Sequence, residues 1–159
     1  MKTWESLIGI SNDGEIQPQL AVSWEANPDK TEWIFHLRQG VQFQDGVRFD
    51  ADAVKENLYR VTHMGYKPSS FYGYLVDRIY PGLVRYEADD PYTIHLYFKK
   101  PVPMLLYRMA GWGSAMFSPR CFDRETGDFS VIAKATGPFL IIDSKGDDYK
   151  LLEAFDGYY

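Results

Sequence analysis

The chain has 159 residues, 45% of them hydrophobic and 25% charged, which suits one domain able to bury about 70% of its unfolded surface without staples. Its net charge of −5 argues against a nucleic-acid partner, which needs a basic stripe to displace counterions. The longest cationic run, Lys99-Lys100, reads as a solvated strand end. Cys121 is the single cysteine, so no internal disulfide forms and the thiol leaves the compartment open. No run of 18 apolar residues suggests a membrane span, and no leader with an apolar h-region is visible. Aromatic residues make up 16% of the chain, a share suited both to sheets and to binding surfaces.

In chain order, residues 4–10 read as a short helix end or a strand, and Asn12-Asp13-Gly14 as a turn. Residues 18–21 predict one helical turn, with Pro18 placed where a missing N–H costs nothing. Residues 24–26 are extended, and 27–30 form a turn. Residues 32–38 alternate with period two, which sends Trp33, Phe35 and Leu37 to a core and Ile34, His36 and Arg38 to a wetter side. Asp45-Gly46 predicts a two-residue hairpin turn with positive φ, flanked by short strands at 41–43 and 47–49. Asp50 caps a following helix, Asp52 complements its dipole, and Ala51, Val54, Leu58 and Val61 form its apolar stripe. That helix runs to about Thr62, before Gly65 and Pro68. Residues 66–79 are aromatic-rich and end in a short helix or strand. Residues 83–87 and 92–98 form a strand pair that Pro101 and Pro103 terminate. Met104, Leu105, Tyr107 and Arg108 predict a short helix, broken by Gly111-Trp112-Gly113-Ser114. Residues 139–142 and 149–153 form a last hairpin. The fold class is α+β, an antiparallel or mixed sheet with short flanking helices.

The side chains of catalysis do not assemble in this sequence. His36, His63 and His95 lack helical i, i+4 spacing and distance themselves from Cys121, so no metal site of the closed zinc type is expected. Gly-x-Ser-x-Gly is missing, and Asp89-Asp90 and Asp147-Asp148 fall at predicted turns. Cys121 follows Pro119-Arg120, where a cation would lower its pKa, although a lone cysteine more often packs as a small hydrophobe. No enzyme and no cofactor are expected. The remaining signal is aromatic: Phe71, Tyr72 and Tyr74 lie in a loop-like segment, and Trp112 stands between glycines. Packing is one role for them, and contact with a ligand or partner is the other.

The stretches LIGISNDGEIQPQLAVSWE, WIFHLRQGVQFQDGVRFDADAVKENLYRV, DDPYTIHLYFKKPVP, ATGPF and EAFDGYY occur in this order. Together they resemble the extracellular solute-binding proteins of peptide, nickel and opine ABC transporters (family 5). ATGPF matches the family's Gly-Thr-Gly-Pro-Phe, with Ala135 in place of the first glycine. The resemblance implies part of a periplasmic-binding-protein-like type II fold, with residues 1–159 as the accessory subdomain of lobe one and the upstream strand and second lobe outside these residues. It implies capture of solute in the periplasm, or at the cell surface as a lipoprotein, and delivery to a membrane permease. DADAVKENLYRV resembles the nickel-type branch, whose members carry an aromatic in the segment matching 70–74 and an arginine in that matching 111–115. Phe71 or Tyr72 is the candidate for the first position, but the second reads Gly-Trp-Gly-Ser-Ala. The expected ligand is therefore an oligopeptide-like solute stacked on Trp112, with a nickel chelate second. The ligand-binding candidates are Phe71, Tyr72 and Trp112. The alternative is a free-standing module that uses aromatic loops on a protein or glycan partner.

Overall fold

The structure is a computed structural model that describes residues 3–63, 78–126, 129–130, 132–145 and 148–159, and the backbone but not the side chain of Trp112. Strands β1 (Ile8–Ile10) and β2 (Ile16–Pro18) form a small antiparallel ribbon around the turn at Gly14, whose φ is +84°. Pro18 is thus the last residue of a strand, paired with Ile8, and not the start of a helical turn. At the edge of a two-stranded ribbon no ladder needs the N–H that proline lacks. The buried Leu20 then carries the chain into β3 (Ala21–Ala26).

Strands β3, β4 (Glu32–Leu37), β5 (Leu83–Asp90) and β6 (Thr93–Phe98) make the main sheet, in the spatial order β3-β4-β6-β5 and antiparallel throughout. Alternation decides its faces. Trp33 pairs with Leu96 and Phe35 with Ile94, and all four are buried. Fully burying one such side chain contributes about 1.5–3 kcal/mol. The connection between β5 and β6 is tighter than expected, because β5 continues through Asp90 and its carboxylate accepts from the Tyr92 N–H at 2.7 Å. That backbone donor, followed by the Thr93 side chain, holds the Asp90 carboxyl below the ordinary aspartate range.

The 43–47 turn also differs from expectation. Phe43 N–H bonds the Val47 carbonyl and Gly46 N–H the Phe43 carbonyl, and Gly46 takes a φ of +80° while Asp45 does not cross to positive φ. This is a three-residue loop with one left-handed residue, so a single glycine suffices. Helix α1 (Ala51–Thr62) begins at Asp50, whose Oδ1 accepts from Ala53 N–H at 3.0 Å, and lays Val54, Leu58 and Val61 on β5 and β6. Asn57, 2% exposed, donates to the Phe117 carbonyl at 2.8 Å and accepts from its N–H at 3.0 Å, which binds α1 to the segment around 117.

Helix α2 (Leu105–Met109) follows Pro103 and packs on β1 with Leu105 and Met109 fully buried. Single 3-10 turns follow at Trp112–Ser114 and Pro119–Cys121. Strands β7 (Phe139–Lys145) and β8 (Tyr149–Ala154) close the chain as a separate antiparallel hairpin. Gln44 ties it on: its Nε2 donates to the carbonyls of Thr3, Gly137 and Phe139, and its Oε1 accepts from Ala135 N–H. The stretch holding Ala135 thereby docks on the 43–47 turn. Beyond β8, the hydroxyls of Tyr158 and Tyr159 donate to the buried Glu5 carboxylate at 3.1–3.2 Å. No helix among the described residues is long and apolar enough to cross a membrane.

Candidate functional site

The outer face of the main sheet is polar and internally paired. His36 meets Glu25 at 3.2 Å, and His95 bridges strands, with Nδ1 at 3.2 Å from Glu32 and Nε2 at 2.9 Å from Asp89. His63 stacks on Tyr59 and bonds the Thr62 hydroxyl. No group of His, Cys, Asp or Glu among the described residues is arranged to hold a metal ion. Cys121 is buried and receives Lys134 N–H at 3.1 Å on its sulfur. Burial pushes its thiol pKa up, so the neighbouring Arg120 does not make it a thiolate.

Alternation puts these polar groups outside the sheet; the helix after Pro103 builds a different feature. Leu105 and Met109, four residues apart, point to the core. Met104, Tyr107, Arg108 and Gly111 therefore share the opposite face, at i, i+3, i+4 and i+7. Met104 and Tyr107 are 53% and 49% exposed. With Arg78, Ile79 and Gly113 they line a groove of about 480 Å³, within the range of small-molecule sites. The Arg108 guanidinium donates to the Arg78 carbonyl, which fixes its lean across the groove. At Gly111, the space where a Cβ would stand meets only the Arg108 carbonyl, at 3.7 Å. Ser114 closes the turn below by donating to the Met109 and Gly111 carbonyls.

Of the three residues singled out as ligand contacts, Trp112 has its backbone in the 3-10 turn between the two lining glycines, while its side chain lies outside the description. Phe71 and Tyr72 lie outside the described residues. Arg78, which follows their segment, lines the same groove as Gly111 and Gly113. The 105/109 spacing against 104/107/108/111 was the signal for Tyr107 and Arg108. Arg78 had none, since it reaches α2 from 30 residues away.

The chain belongs to the bacterial extracellular solute-binding proteins, family 5, whose middle-region model matches residues 15–159. Members of that family are extracytoplasmic binding components of ABC transporters, and not enzymes. Among similar proteins is the glutathione-binding protein GsiB of Salmonella paratyphi A, 28% identical over 156 residues, which cover 98% of this chain and 29% of GsiB. An ABC transporter substrate-binding protein from Sinorhizobium meliloti superposes with a TM-score of 0.83 at 31% identity, covering 99% of this chain and 31% of the other. NikA from Brucella suis, solved with Fe(III)-EDTA, gives 0.81 and 29%, covering 99% and 31%. The chain thus spans about three tenths of the length of these relatives.

Proposed function

We propose that residues 1–159 form the lobe-one accessory subdomain of a two-lobe binding protein. That protein captures a peptide-like solute outside the cytoplasmic membrane and delivers it to an ABC transporter permease; a nickel complex is the second candidate. The observation that carries this reading is the family match over residues 15–159. Trp112, with Phe71 and Tyr72, is proposed as an aromatic wall for the solute. Glutathione and EDTA, named for two of the relatives, both carry more than one carboxylate, which favours a carboxylate-bearing solute here. Capture works by burial in a largely preformed cleft, with closure biased by better contacts in the closed state.

A thermal-shift screen of the full gene product against glutathione, short peptides and nickel chelates tests the reading, since a ligand that binds the native state raises the melting point by mass action. Stabilisation by a peptide-like or chelate ligand is expected, weakened by Trp112→Ala. Indifference to every probe would remove the reading. Residues 1–159 alone are expected to bind such ligands weakly, because a two-lobe cleft needs its second wall.

A further inference from the structure

We propose that the groove beside α2 is a carboxylate subsite, with the Arg108 guanidinium as its anion-binding group; this rests on the solute-capture reading and names the chemistry of its solute. The first reason is charge. Two arginines line the groove, and no acidic side chain does so among the described residues. The second is the contrast with other arginines. Arg48, Arg85 and Arg124 pair with Asp50, Glu87 and Glu56, whereas Arg108 enters none of the ion pairs among the described residues. Its one described partner is a neutral carbonyl, that of Arg78. A planar fork with one N–H tied to a carbonyl keeps its other donors in a fixed plane, suited to two-point contact with a carboxylate.

The third reason is shape. Leu105 and Met109 are fully buried and set the rotation of α2, so Arg108 sits on a rigid helix face. Tyr107 and Met104 supply an apolar wall beside it, and Gly111 leaves room for the body of a ligand. A guanidinium next to an aromatic and a thioether suits a small organic acid with an apolar or planar portion. The terminal carboxylate of a peptide and a carboxylate of a metal chelate both meet that description.

The test is isothermal titration of the full gene product, as wild type, Arg108→Gln and Arg108→Lys. The probes are a free-acid tetrapeptide, its C-terminal amide, glutathione and a nickel–histidine chelate. Arg85→Gln, on the outer sheet face, is the control. Arg108→Gln is expected to weaken carboxylate probes by about tenfold or more, with the loss partly restored by Arg108→Lys and no change for Arg85→Gln. The wild type should prefer acid to amide, and Arg108→Gln should erase that preference, the coupling a double-mutant cycle reads. A response confined to peptide or to chelate identifies which source supplies the carboxylate. Tight binding by the wild type with unchanged acid and amide affinities in Arg108→Gln would overturn the subsite and leave solute capture standing. Failure of the wild type to bind any probe would remove solute capture, and the subsite with it.

Discussion

The main sheet and the β7–β8 hairpin are both antiparallel, yet they are held by different forces. In the sheet, Phe35, Ile94 and Leu96 are entirely buried on one face, and helix α1 covers part of it. In the hairpin, Ile142, Tyr149 and Leu151 are 43–52% exposed, and none of its described residues joins the core cluster. Its attachment is polar: Gln44 holds the Gly137 and Phe139 carbonyls. A two-stranded ribbon is marginal by itself in water. Strand pairing alone therefore does not make a stable element here; a dry face does.

The largest expected effect tests the dry face. Phe35→Ala should cost about 3–5 kcal/mol in equilibrium urea unfolding, because the cavity opens between Trp33 and Ile94. Loss of under half that amount would mean the site collapses and the contrast with the hairpin is weaker than drawn. Asn57→Ala should follow at about 1–3 kcal/mol, since it removes the partner of the part-buried N–H and carbonyl of Phe117. Asp50→Ala should cost about 1 kcal/mol through the lost cap, and thermal melts ranking it above Phe35→Ala would contradict the packing described.

A pH effect comes next. Asp90 is held below its ordinary pKa by Tyr92, and Asp123 by the Thr126 and Glu125 N–H groups. Both are depressed acids, so each contribution is fully present above about pH 3.9, the unfolded aspartate value. It is lost as pH falls through the lower folded value. Asp90→Asn should therefore flatten the acid limb of stability against pH, and above about pH 5 it should lower stability by a constant amount without changing the slope. The smallest effect belongs to the hairpin: Leu151→Ala should change stability by no more than about 0.5 kcal/mol. A penalty of several kcal/mol would show that this face is covered in the full gene product.

Much of the fold was legible locally. Strand β4, helix α1 and its Asp50 cap follow from alternation, helical spacing and one side-chain acceptor, all within a few residues. Pro18 suits both a first helical turn and a ribbon edge, and only the pairing with Ile8 separates them. Asp45-Gly46 marks the position of the 43–47 turn but not its loop length, since Asp-Gly serves two hairpin geometries. The groove was half legible. The outward stripe of α2 lay in the spacing, while the meeting of Arg108 with Arg78 did not.

Sequence alone determined the dry and wet faces of the main sheet, the start of α1 and the family to which the chain is similar, because period, capping and turn chemistry act between neighbours. Tertiary structure decided which distant groups meet: Asn57 with Phe117, Gln44 with the hairpin, Glu5 with Tyr158 and Tyr159, and Arg108 with Arg78. Such contacts carry no local signature. They form only after burial of the shared core has brought the segments together, and the groove exists because that core fixes which face of α2 is left outside.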